Sequence, residues 1–130
     1  MKAMILNNIS SFQDNKTPLE MADLPDPVPG DGEILVRVSV CGVCHTELDE
    51  IEGRTPPPNF PMILGHEVVG RVAGAGKNAT RFQIGDRVGI GWIHSACGKC
   101  KYCLSDNENV CEQFRATGRD ANGGYAEYMT

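Results

Sequence analysis

The stretch Gly32–Glu50, GEILVRVSVCGVCHTELDE, decides the fold. Ile34, Val36, Val38 and Val40 alternate with Leu35, Arg37 and Ser39, the period of two expected of a strand with one buried face. A strand is therefore predicted over Glu33–Val40. Directly after it, Cys44 opens a short helical segment, His45-Thr46-Glu47-Leu48-Asp49-Glu50-Ile51, with Leu48 and Ile51 on one side and Gly53 as its stop. It amounts to about two turns. Outward from this unit the sequence keeps to short runs. Lys2–Leu6, Val68–Ala73, Arg87–Ile90 and Tyr125–Met129 read as further strands, separated by Gly, Asn, Asp and Pro at turn-like intervals. Thr55–Pro58 is an extended surface loop, because each proline fixes its own φ and restricts the residue before it. The expectation is a mainly β fold, a barrel or a sandwich, with one short helix.

The 130 residues make one modest domain. With 12 Lys+Arg against 17 Asp+Glu the chain carries a net charge of -5, so it lacks the basic face that nucleic acid or an anionic membrane surface requires. No apolar run approaches the roughly 20 residues of a transmembrane helix. Asn7 and Asn8 interrupt the start before an apolar leader develops, so no secretory signal is read and a cytoplasmic address is expected. Gly123–Thr130 reads as a turn entering a strand. It implies either a missing partner strand or a frayed strand completing a small domain.

In such an address the six cysteines are expected to be thiols available as ligands or nucleophiles, not a disulfide framework. Cys97, Cys100, Cys103 and Cys111 follow C-x2-C-x2-C-x7-C, which lets four thiolates close around one tetrahedral zinc. Zinc with four thiolates carries a charge of about -2, and Lys99 and Lys101 between the ligands offset it. An iron–sulfur cluster competes, since C-x2-C-x2-C also opens the ferredoxin run. That run, however, continues with x3-C-P, whereas here seven residues precede Cys111 and Glu112 follows it. A zinc closed in by four ligands staples a loop and does no chemistry.

Cys44 lies at the mouth of the helix, where the dipole favours thiolate. His66 and Glu67 fall in Gly65-His66-Glu67-Val68-Val69-Gly70, and Cys and His are both good zinc ligands. Taken singly, a cysteine at a strand end is commonly a small packing residue and a lone histidine a satisfied one. Cys41, three residues before Cys44, is either such a packer or a substitute ligand.

Five segments carry a resemblance across nearly the whole chain: Gly42–Leu48, Gly65–Gly70, Gly85-Asp86-Arg87-Val88, the four-cysteine segment, and Gly123–Tyr128. In this order they resemble the N-terminal catalytic, GroES-like domain of zinc-dependent alcohol dehydrogenases, within the medium-chain dehydrogenase/reductase family. The resemblance implies a GroES-like irregular barrel with a zinc-stapled lobe. It implies that Cys44 and His66 bind a catalytic zinc, with Glu67 able to approach or coordinate it, and that Cys97, Cys100, Cys103 and Cys111 bind a structural zinc. Thr46 matches the hydroxyl that meets the substrate alcohol, His45 a residue near the cofactor pyrophosphate, and Glu47 a carboxylate that orients the histidine ligand. Trp92 and Ile93 resemble a region lining the substrate pocket.

The reaction so implied interconverts an alcohol and an aldehyde or ketone by hydride transfer with NAD or NADP, zinc serving as Lewis acid. The alternative is a non-catalytic zinc-binding interaction module. Many family members carry a histidine at the position of Asp49, so a relay beyond Thr46 is not carried over. No Gly-x-Gly-x-x-Gly opens a helix here. Residues 1–130 are thus expected to be a catalytic domain that is C-terminally incomplete, without the Rossmann cofactor domain or a third catalytic ligand, inactive alone and able to form a homo-oligomer through surface left bare.

Overall fold

A computed structural model describes residues 1–130. In chain order it contains β1 (Lys2–Leu6), β2 (Leu19–Asp23), β3 (Ile34–Cys41), α1 (His45–Ile51), β4 (Met62–Ile63), β5 (Val68–Ala75), β6 (Arg87–Ile90), β7 (Ile93–Ser95), β8 (Arg115–Ala116) and β9 (Tyr128–Met129). The strands form three sheets, ordered β2-β1-β4, β6-β5-β3-β9 and β7-β8. The fold is mainly β with one short helix, as the alternating pattern predicts.

β3 is the centre of the larger sheet, paired antiparallel with β5 along its length and with β9 at its middle. Its alternation buries Val36 against Val68, Val72, Val88 and Met129; each such apolar side chain contributes about 1.5–3 kcal/mol. A second cluster, Leu6, Ile51, Met62 and Leu64, lies under α1 with Tyr125 packed beside it. The two halves are stitched by residues 125–127. Tyr125 O accepts from Met4 N at 2.8 Å, Glu127 N donates to Lys2 O at 3.0 Å, and Glu127 O accepts from Val38 N at 2.9 Å.

That stitching revises one expected element. Tyr125–Met129 is strand only at Tyr128–Met129, because Gly123, Gly124 and Tyr125 donate instead to the carbonyls of Ile63, Gly65 and Leu64. The 123–125 segment is a brace behind the Leu64–Gly65 turn. The helix is also differently faced from the expectation. Its buried residues are Glu47, Glu50 and Ile51, while Leu48 is only half-buried, so its inner face is acidic for a reason the site makes plain.

Candidate metal centres

Two groups of side chains converge with metal-ligand geometry: Cys97, Cys100, Cys103 and Cys111, and Cys44, Glu47 and His66. Within each, the ligand atoms lie within 4.8 Å of one another. In the first, Cys100 Sγ is 3.6 Å from Cys103 Sγ and 3.9 Å from Cys111 Sγ, and Cys97 Sγ is 3.9 Å from Cys103 Sγ. A tetrahedron with zinc–sulfur arms of about 2.3 Å has edges of about 3.8 Å. The sulfurs therefore fit one zinc ion and stand too close to enclose an iron–sulfur cluster.

Local turns build this lobe. Gly98 takes a φ of +69° between the first two ligands, and short 3-10 turns at Cys103–Ser105 and Glu108–Val110 bring in the third and fourth. The backbone amides of Lys99 and Cys100 face Cys97 Sγ and bring its thiol down to about 6. Removal of water from its sulfur, with the hydrogen bond to Cys100, pushes Cys103 up to about 12.

The second group is assembled from distant segments. Cys44 caps α1: its Sγ accepts from Thr46 N at 3.3 Å, and Glu47 Oε2 accepts from Cys44 N at 2.8 Å. His66 enters from the opposite side, after Gly65 at φ +96°, where a Cβ would come within 2.7 Å of the Tyr125 ring and 2.8 Å of Cys41 Sγ. Only glycine fits there, and that turn delivers the imidazole.

Cys44 Sγ and His66 Nε2 end 3.7 Å apart. One sulfur and one nitrogen arm on a tetrahedral zinc put these atoms about 3.6 Å apart. On the far side of the ring, Glu47 Oε1 lies 2.8 Å from His66 Nδ1 as an ion-pair contact, and neither atom makes a hydrogen bond. One fully buried carboxylate thus caps the helix with one oxygen and faces the histidine with the other. A carboxylate on the Nδ1 side orients the ring with Nε2 toward Cys44. The donor set fits a catalytic-type zinc with positions left for other ligands.

Residues 30–130 match the alcohol dehydrogenase GroES-like domain family. The chain belongs to that family. An alcohol dehydrogenase of Geobacillus stearothermophilus is 47% identical over 114 residues, covering 87% of this chain and 34% of that protein. A crystal structure of an NAD-dependent alcohol dehydrogenase superposes with a TM-score of 0.89 at 32% identity, covering 99% of this chain and 36% of the other. A cobalt- and zinc-bound thermostable alcohol dehydrogenase from Pyrobaculum aerophilum gives 0.89 at 30% identity, with 99% and 38% covered. The chain spans about a third of the length of these relatives. The GroES-like barrel and its four-cysteine lobe are as the resemblance implied.

Within this GroES-like domain the anticipated site residues divide. Cys44, His66 and Glu47 come together; Thr46 is half-buried beside Cys44, and His45 is exposed at the start of α1. Glu67 is not part of the cluster. It is exposed, and its carboxylate lies over Gly42, where a Cβ would be 2.2 Å from Oε2. The reason is strand alternation: in the segment entering β5, His66 and Glu67 project to opposite faces. Cys41 is half-buried and absent from both metal groups, and burial pushes its thiol up, as suits a packing residue. Asp49 accepts from Arg54 Nε and lies 3.5 Å from His45 Nε2, on the exposed side of the helix. Trp92 stands edge-on to His66, with centroids 4.9 Å apart. It is pinned by Thr117, whose N donates to Trp92 O and whose Oγ1 donates to Gly91 O.

Two side chains near the site are not evident from the motifs. Glu50 is fully buried with neither oxygen hydrogen-bonded; burial, then the neighbouring Glu47, pushes it up to about 8, against a lowering pull from Arg119. Its spacing of three from Glu47 on a helix is the signal that could have found it. Arg119 and its partner Asp120 lie beyond the helix, in the segment after Gly118.

Proposed function

We propose that residues 1–130 form the catalytic domain of a zinc-dependent alcohol dehydrogenase, interconverting an alcohol and an aldehyde or ketone with NAD or NADP as hydride partner. The observation that carries this is the pairing of Cys44 Sγ with His66 Nε2 at 3.7 Å, backed by the buried Glu47 on Nδ1. Zinc, when bound there, supplies Lewis acidity toward an alcohol or carbonyl oxygen. The chain's own residues do the remainder. Cys44 and His66 hold the ion, and Glu47 orients the imidazole. Thr46, two residues after Cys44, accepts the hydrogen bond of the substrate hydroxyl and passes its own proton on toward solvent as it receives the substrate's. Trp92 forms a wall that excludes water from His66. His45, exposed on the first turn, faces outward to meet the cofactor pyrophosphate. Glu67, at the end of the same turn as His66, approaches the ion only by a movement of its side chain.

The share of the relatives covered supports a domain that works with a cofactor domain, and exposed Val40 and Val43 beside Cys44 support a packed neighbour on that side, either that domain or a second copy of the chain. The six free cysteines support work in the reducing cytoplasm. No helix is long and apolar enough to cross a membrane.

Metal analysis tests the reading. Two zinc per chain are expected, one lost in Cys44→Ser and the other in Cys97→Ser, with no NAD-dependent turnover by residues 1–130 alone. A single zinc unaffected by Cys44→Ser would leave a stapled binding module and overturn it.

A further inference from the structure

Arg119 packs on the aromatic side of the Cys44–His66 centre. Its guanidinium carbon lies 5.6 Å from the centroid of Trp92 and 5.6 Å from that of Phe114, and Trp92 is the ring set edge-on against His66. A cation set over two neighbouring aromatic rings, Trp92 and Phe114 with centroids 6.4 Å apart, is partly stripped of water. Asp120 completes the hold. Its Oδ2 accepts from Nη2 at 2.8 Å and from Nε at 3.3 Å, and is itself fixed by Ala116 N at 2.7 Å.

Asp120 therefore occupies the side edge of the guanidinium, Nε with Nη2. The end edge, Nη1 with the second Nη2 hydrogen, has no protein partner. Asp120 is the only ion-pair partner of Arg119, the buried Glu50 makes no hydrogen bond to it, and Nη1 is not among the sealed polar atoms, so it opens to solvent. A rigid guanidinium with one free two-donor edge is the arrangement that recognises a carboxylate or a phosphate.

We propose that Arg119 is a specificity-determining residue that selects alcohols or carbonyl compounds bearing a carboxylate or phosphate at the end remote from the reacting oxygen. The proposal rests on the dehydrogenase reading for the reacting end of the substrate; its anionic end rests on Arg119 alone. A neutral alcohol meets Trp92 and leaves the charged edge to water. A hydroxy acid that spans from the metal centre to the guanidinium satisfies it.

Trp92 is the single tryptophan, so its emission reports on the guanidinium 5.6 Å from its ring centroid. The zinc-loaded chain is titrated with 4-hydroxybutyrate, butyrate, 1-butanol and inorganic pyrophosphate. The expected Kd for 4-hydroxybutyrate is at least about tenfold below that for 1-butanol. Arg119→Lys, which keeps the charge and loses the fork, should cut that advantage to about threefold or less, and Arg119→Gln should abolish it. Equal Kd values for the two alcohols in the wild type, or an advantage that survives Arg119→Gln, overturns the proposal. Binding of pyrophosphate without any response to 4-hydroxybutyrate overturns it too, by assigning the free edge to a cofactor.

Cobalt in the Cys44 site separates this from the parent reading, through its visible bands. Bands that respond to both alcohols at equal affinity keep the dehydrogenase and remove the role of Arg119. Bands that respond to neither, with butyrate binding as tightly as 4-hydroxybutyrate in an Arg119-dependent way, keep the anion edge and remove the alcohol chemistry.

Discussion

The two metal centres are built in opposite ways. The four-cysteine lobe draws all its ligands from Cys97–Cys111, whereas the other centre needs Cys44 at a helix start and His66 after a glycine turn 22 positions away. The lobe's order comes from turns and from the ion it fits; the second centre's order comes from the barrel. A closed site can thus be written in one short segment. An open one has to be held apart by a framework rigid enough to keep a ligand position vacant, and here that framework includes a buried carboxylate.

Substitutions should separate the two centres by size of effect. Cys97→Ser breaks the lobe where metal binding is also folding energy, so thermal melts should show a Tm drop on the order of 10 °C or more. Cys44→Ser should remove one zinc per chain by elemental analysis while lowering Tm far less, by about 3 °C or under; equal Tm losses in the two variants would break the contrast. Glu47→Gln keeps size and removes charge opposite His66. Metal competition should show affinity at the Cys44 centre weakened by about 10–100-fold, with the lobe's zinc untouched.

The smallest effect is one of pH. Glu50 ordinarily titrates at 4.5 and is held at about 8 in the folded chain. Between those values the folded chain binds a proton that the unfolded chain has released, so this group's contribution to stability is present in full below about pH 4.5 and declines as the pH rises through about 8. Glu50→Gln removes the decline. In melts of the zinc-loaded chain, the Tm advantage of the glutamine variant should grow from pH 5 to pH 8 and stay level above it. An advantage that shrinks over that range would contradict the assignment.

Much of the scaffold was legible in the sequence because it is local. The alternation in Ile34–Val40 and the cap and stop of α1 yielded elements within a residue or two of those observed, and the cysteine spacing yielded the lobe. β2 was missed because Leu19-Glu20-Met21-Ala22-Asp23 lies beside Pro18 and Pro25 and leaves Met21 largely exposed. β7 and β8 are too short to carry a period. At the site, Cys44 and His66 were visible as residue types, but not that Glu67 would lie exposed over Gly42, outside their cluster. The acidic inner face of α1 was hidden for a related reason: a sequence pattern assigns apolar residues to the interior, and Glu47 is buried for what it does to a histidine on another segment.

The stitching of residues 125–127 has a consequence in time. Ala3 bridges Ala126, and β3 pairs with β9 only at Tyr128 and Met129, so one edge of the first strand waits for a partner 123 positions later. During synthesis on a ribosome the opening strand can pair with β2 early, but it leaves the tunnel long before residues 125–127 exist, and such distant pairings form late. The cysteine segment emerges in the interval. A nascent chain can therefore already hold its first zinc while the barrel that frames the second is still open.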